Sequence, residues 1–124
     1  FPTRRSSDLM QSDDLFIFTT LSGSGVDIQA LWEDSKSVSP PHHLNFFNPY
    51  SIKLLLSKIG LQCLEVTTPG KLDIDILSNN SEKIKDRFWQ EFILRATNEE
   101  KEKWQEVISN SGWSSHMMIV CRKP

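Results

Sequence analysis

Leu15-Phe16-Ile17-Phe18-Thr19-Thr20-Leu21 places apolar or β-branched side chains on both faces of any strand it forms. Successive strand side chains point to opposite faces, so a strand of this composition needs cover on two sides. Following the polar turn Gln11–Asp14, it suits a buried central strand of a parallel or mixed sheet. The chain has 124 residues, and a domain of that size covers two faces of a sheet poorly. The run therefore predicts a portion of a larger α/β protein.

The other elements follow from local signals. Ser22-Gly23-Ser24-Gly25 ends the strand, and a long connection with one or two helical turns at Asp27–Trp32 runs to Phe47. Asn48 is a good N-cap, Pro49 suits the first helical position and Gly60 the stop, while Phe47 and Ile52 stand where a hydrophobic staple would form. Ile52, Leu55, Leu56 and Ile59 repeat at helical spacing, with Lys53, Ser57 and Lys58 outward. A strand is expected from Leu61 to Thr68, ended by Pro69-Gly70. Asp73 and Asp75 alternate with Leu72, Ile74 and Ile76, which reads as the solvent side of an extended segment. Ile84, Phe88, Phe92, Ile93 and Ala96 mark one face of a helix from about Glu82 to Ala96. Thr97-x-x-Glu100 is a capping-box pattern opening another helix through Trp104, Val107 and Ile108. Trp89, Phe92 and Trp104 read as core or as a domain-packing face, and His116–Cys121 as a closing strand. The expected fold is α/β, a three-strand mixed sheet with about three helices.

Charge and cysteine usage exclude several classes. The formal net charge is −2 with both signs interspersed, so the Lys/Arg stripe that nucleic acid or a membrane surface requires is missing. Apolar stretches such as Ile52–Leu56 are too short to span a bilayer. Cys63 and Cys121 lie in separate apolar runs and read as reduced core thiols of a cytoplasmic protein. Residues 1–9, Phe-Pro-Thr-Arg-Arg-Ser-Ser-Asp-Leu, can be back-translated into the end of a common sequencing adapter. They are set aside as a non-native artefact, leaving 10–124 as a fragment of a domain whose natural start lies upstream.

Gly25-Val26-Asp27-Ile28-Gln29-Ala30-Leu31-Trp32-Glu33, followed by Ser39-Pro40-Pro41-His42-His43-Leu44-Asn45-Phe46-Phe47-Asn48-Pro49, resembles class I S-adenosylmethionine-dependent methyltransferases of the methyltransferase domain 23 type. In that family a Pro-x-His-hydrophobic-Asn/His-Phe-Phe loop on the substrate side follows the fifth strand. A Leu-Leu-rich helix then leads into the sixth strand, here Gly60–Thr68, and Ser114–Val120 matches a last strand lying antiparallel between the fifth and sixth. The resemblance covers nearly all of Leu15–Lys123 and implies the C-terminal part of a Rossmann-like methyltransferase fold. It implies S-adenosylmethionine as the parent's cofactor and a small-molecule or glycan-precursor methyl acceptor as partner; oligomeric state stays open. The family's Gly-rich turn after the first strand, and the acid ending the second, have no counterpart. Gly23-Ser24-Gly25 follows a strand but lacks the helix with a third glycine. No cofactor-binding residue is therefore expected here, and the chain alone should be inactive.

By the same resemblance, the loop carrying His42, His43 and Asn45 lies over the carboxyl ends of the strands, where open α/β sheets bind ligands. His43 is the candidate catalytic base, since an imidazole titrates near neutrality and can take a proton from an acceptor hydroxyl or amine. Its structural alternative is a hydrogen bond that shapes the loop. Trp32, His42, Asn45 and Tyr50 are the candidate substrate-binding residues, with Glu33 beside them. A metal held by His42, His43 and His116 has no i,i+4 pair or Cys-x-x-Cys behind it; His116 reads better as the start of a strand with a structural bond. A different class also fits the residues, a non-catalytic α/β binding or dimerisation module with exposed aromatics.

Overall fold

In the computed structural model, which describes residues 9–124, three strands form one sheet: β1 (Leu15–Leu21), β2 (Gln62–Thr67) and β3 (His116–Arg122). The order is β1-β3-β2, and β3 is antiparallel to both neighbours. The expected mixed sheet is thus corrected. β1 and β2 do run parallel, but the last strand lies between them, so every hydrogen-bonded pair is antiparallel. Apart from Leu9, which is exposed, the stretch read as foreign lies outside the described residues.

Five α-helices stand where about three were expected, counted among the described residues: α1 (Val26–Leu31), α2 (Pro49–Lys58), α3 (Asp73–Asn79), α4 (Arg87–Arg95) and α5 (Asn98–Asn110). Two sequence readings fail for identifiable reasons. The Leu-Asp-Ile-Asp-Ile alternation around Asp73 imitates a strand period, yet it forms α3, with Asp73, Ile74 and Leu77 buried and Asp75 exposed. The single helix expected from Glu82 to Ala96 is a 3₁₀ turn at Ser81–Lys83 followed by α4. Asp86 accepts the Trp89 N–H at 3.0 Å and so restarts the helix as an N-cap.

The caps read from sequence form as expected. Asn48 Oδ1 accepts the N–H groups of Tyr50 and Ser51, and Ser51 Oγ returns a bond to the Asn48 N–H. Thr97 and Glu100 make the same reciprocal box on α5. Gly60, at φ +81°, ends α2 in a conformation that a side chain resists. Ile59, expected inward, is exposed, because the helix closes a residue before it.

Two apolar clusters result. Ile52 and Leu56 of α2 pack on Met117, Ile119 and Cys121 of β3, with Phe16, Phe18 and Phe47 against them. Leu31, Ile74, Leu77, Ile84, Ile93 and Ile108 form a second cluster among the helices. Burying each such side chain contributes about 1.5–3 kcal/mol. β1 is not the central strand its composition suggests. Phe16 and Phe18 face α2, but Leu15 and Ile17, on the other face, are each 57% exposed, and β1 pairs only with β3. Cys63 and Cys121 are opposite one another across β2 and β3, and both are free thiols. Burial pushes the Cys121 thiol up, which makes it a poor nucleophile.

Candidate functional site

Because β1 and β2 run parallel and β3 starts where they end, the carboxyl ends of β1 and β2 meet the amino end of β3. The long loop is tied down at this end of the sheet. Ser22 and Phe47 form an isolated parallel bridge, the Gly23 N–H donates to the Phe47 carbonyl at 2.8 Å, and the Ser22 N–H donates to the Ser115 carbonyl at 2.7 Å. His43 and Asn45 are four and two residues from that anchor in sequence.

The loop's candidate residues face water. His42, His43 and Asn45 are exposed, Trp32 is 63% exposed and Tyr50 74% exposed. The His43 ring lies 6.3 Å from that of Phe46, and the His42 N–H donates to the Ser39 carbonyl at 3.0 Å. No hydrogen bond or ring contact joins Trp32, His42, His43, Asn45 and Tyr50 to one another among the described residues. Trp32 stands out in another way. It has φ +47°, a left-handed conformation that costs a bulky residue on the order of 1–3 kcal/mol. Beside it Glu33 pairs with Lys85 at 2.8 Å on the surface, which lowers the Glu33 carboxyl and raises the Lys85 amine. His116 opens β3 as expected and its N–H reaches Ser114 Oγ at 3.4 Å, while its imidazole has no hydrogen bond among the described residues. No group of three metal-ligating side chains occurs among the described residues. No helix among them is long and apolar enough to cross a membrane.

Beneath the loop's root lies a buried polar network that sequence reasoning missed. Asp73, 2% exposed, accepts from Ser114 Oγ at 2.7 Å and Gln105 Nε2 at 2.9 Å through Oδ2. Its Oδ1 accepts from the Ser115 N–H at 2.8 Å. Burial alone would raise this carboxyl, but the Ser114, Gln105 and Ser115 donors outweigh it and hold the group below its ordinary value. Gln105 completes the knot by accepting the Ile74 N–H at 2.9 Å and donating to the Gly70 carbonyl at 3.2 Å. Asp27 of α1 is 1% exposed, and no donor among the described residues forms a hydrogen bond to either of its oxygens. Burial raises its carboxyl to about 6, with the Ser115 hydroxyl opposing and the Asp73 charge reinforcing the rise. The available signal was an acid just after a glycine at each helix start, Gly25-x-Asp27 and Gly70-x-x-Asp73.

Both glycines are demanded by this knot. A Cβ on Gly25 would lie 2.3 Å from Ser115 Cα and 2.6 Å from Ser115 N, and one on Gly70 would meet Ser114 Oγ. Gly25→Ala is expected to cost about 1–3 kcal/mol or more, because backbone has nowhere to yield. Chemical denaturation should show a lower unfolding midpoint at unchanged slope.

The same geometry tests whether Gly23-Ser24-Gly25 could hold a cofactor. A short helix does follow it, in line with the one or two turns expected at Asp27–Trp32, but α1 has only six residues and carries no third glycine. Three N–H groups at the turn are already used: Gly23 donates to Phe47, Gly25 to Ser22 and Val26 to Trp113. Gly23 is also closed off by Phe46, whose Cβ a Gly23 side chain would meet at 2.9 Å. These residues do not fit S-adenosylmethionine. A groove of about 1140 Å³ lies elsewhere, along β2, α3 and α5, with Thr67, Lys71, Asp75, Lys101 and Glu102 in its walls. None of the five loop candidates lines it. No protein-family model, no curated protein and no solved structure matches this chain.

Proposed function

We infer that this chain supplies the acceptor-side part of an S-adenosylmethionine-dependent methyltransferase, with the cofactor held by a segment outside this sequence. One observation carries the reading. The last strand is inserted antiparallel between two strands that run parallel, and the Pro-His-His-Leu-Asn-Phe-Phe loop is rooted at their shared carboxyl end. That is the arrangement the sequence resemblance implies for the end of a Rossmann-like methyltransferase domain. β1 supports it further. It has the composition of a central strand but, among the described residues, pairs on one side only, and a neighbouring strand of the cofactor half would cover its other edge. The strained, exposed Trp32 is consistent with a role in gripping the acceptor.

Methyl transfer is an in-line displacement, so the protein's work is alignment of the two reactants and, for a neutral acceptor, removal of a proton. Here the loop aligns a small-molecule or glycan-precursor acceptor through Trp32, His42, Asn45 and Tyr50, and His43 takes its proton.

Calorimetric titration of the chain alone with S-adenosylmethionine is expected to give no heat of binding. Micromolar affinity would overturn the division of labour between the two halves. The chain extended by its own upstream coding sequence is expected to transfer label from methyl-labelled S-adenosylmethionine. An upstream segment without a strand and Gly-x-Gly-x-Gly turn would overturn the reading. The competing reading is a non-catalytic binding or dimerisation module. The uncharged edge strand β1, with Leu15 and Ile17 exposed, favours it; sedimentation of a stable dimer with no transfer by the extended chain would decide for it.

A further inference from the structure

We propose that Asp27 and Asp73 share a single proton, and that this proton governs how firmly the root of the Ser22–Phe47 loop is held. The inference rests on the buried network alone, not on the methyl-transfer reading.

The two carboxyls are treated unequally by their surroundings. Asp73 receives three donors and is satisfied as an anion. Asp27 receives none, though it is 1% exposed. An interior carboxylate without donors is strongly disfavoured, whereas a neutral carboxylic acid needs only one acceptor for its O–H. Asp73 is the anionic acceptor across the α1–α3 packing, bonded to the same Ser115 N–H against which Gly25, at the start of α1, is pressed. Two adjacent carboxyls that cannot both ionise hold one proton between them.

Among the described residues no cation relieves the pair. α3 presents Asp73, the approach to β3 presents Ser114 and Ser115, and α5 presents the neutral Gln105. α1 carries no other charged residue, and the 3₁₀ turn after it carries Glu33 and Asp34, with Lys85 engaged by Glu33 at the surface. Loss of the proton therefore sets two like charges against each other between α1 and α3. α1 transmits this to the loop, since its first residues are bonded to Ser22 and Trp113 and Gly25 is pressed on Ser115. The sign is that of a carboxyl raised in the folded state. Its stabilising contribution is complete below the ordinary carboxylate range and is lost as pH rises through about 6.

Backbone hydrogen exchange, corrected for intrinsic base catalysis, tests this on the chain itself. Protection of the α1 amides relative to the β3 amides is expected to fall about 10-fold between pH 5 and pH 8 in the wild type. In Asp27→Asn, which mimics the neutral acid and still donates to Asp73, the ratio should stay flat. Flat behaviour in the wild type, or the same fall in Asp27→Asn, would overturn the proposal. Should Asp27→Asn not fold, the carboxyl carbon resonance of Asp27 in the wild type decides. A midpoint near 6 is expected, and a midpoint in the ordinary carboxylate range refutes proton sharing.

Discussion

Asp73→Ala is expected to lower the unfolding free energy by about 3–5 kcal/mol, a severe loss for a domain of this size. The reason is what the substitution strands. Ser114 Oγ, the Ser115 N–H and Gln105 Nε2 all aim at the Asp73 carboxylate, and hydrogen bonds to a charged group are worth about 1.5–3 kcal/mol each. Removing the acceptor leaves buried donors unsatisfied at the junction of α3, α5 and β3. Part of the loss is returned, because Asp27 no longer faces a negative neighbour and can ionise more easily. Asp73→Asn keeps an acceptor oxygen and should cost less. Chemical denaturation at pH 7 measures both, and an Asp73→Ala loss below about 1 kcal/mol would show that water replaces the missing bonds.

The pH dependence of the same substitution separates the two acids. Asp73 is held below its ordinary value, so its contribution is present above the unfolded carboxylate pKa and is lost as pH falls. Asp27 acts in the opposite direction, losing its contribution as pH rises through about 6. Wild-type stability should therefore peak between the two transitions. Asp73→Ala should remove the acid-side decline that belongs to this carboxyl.

Helix α2 was legible because each of its signals is local. Asn48, Pro49 and Gly60 act within a turn of their own positions, and Ile52 and Leu56 reach the core by spacing alone. The Thr97–Glu100 box was legible for the same reason. α3 was hidden because tertiary demand selected its residues: Asp73 is buried by its bonds to Ser114 and Gln105, partners 41 and 32 positions away. No window of sequence contains that information. The antiparallel pairing of β1 and β2 with β3 follows from contacts between residues as distant as Leu15 and Arg122. The candidate loop shows the reverse limit. Its residue types were readable from the resemblance and its root is visible in the fold, but His43, Asn45 and Tyr50 point to water and converge on no cavity among the described residues.

That exposure shapes the expectation for His43. If the proposed function holds, His43→Ala in the extended chain should lower turnover about 10²–10⁴-fold, the usual worth of general acid–base catalysis. Binding of S-adenosylmethionine should be unchanged, because the proposed function assigns the cofactor to a different segment from the His43 loop. The anchor between Ser22 and Phe47 keeps the loop at the carboxyl end of β1, so the substitution removes an imidazole without freeing the loop. A base and a loop-shaping residue then differ in what they change. Loss of the base lowers kcat and kcat/KM together and deletes one ionisation from the pH–rate profile. Loss of a shaping bond raises KM, leaves kcat near wild type and leaves the profile intact. Among the described residues the imidazole has no hydrogen bond to a loop carbonyl and only a tilted contact with Phe46, which favours the first outcome. Steady-state kinetics across pH, for wild type and His43→Ala, measures the difference. Wild-type turnover of the variant at saturating acceptor would remove His43 from the chemistry and leave acceptor alignment as the loop's whole contribution.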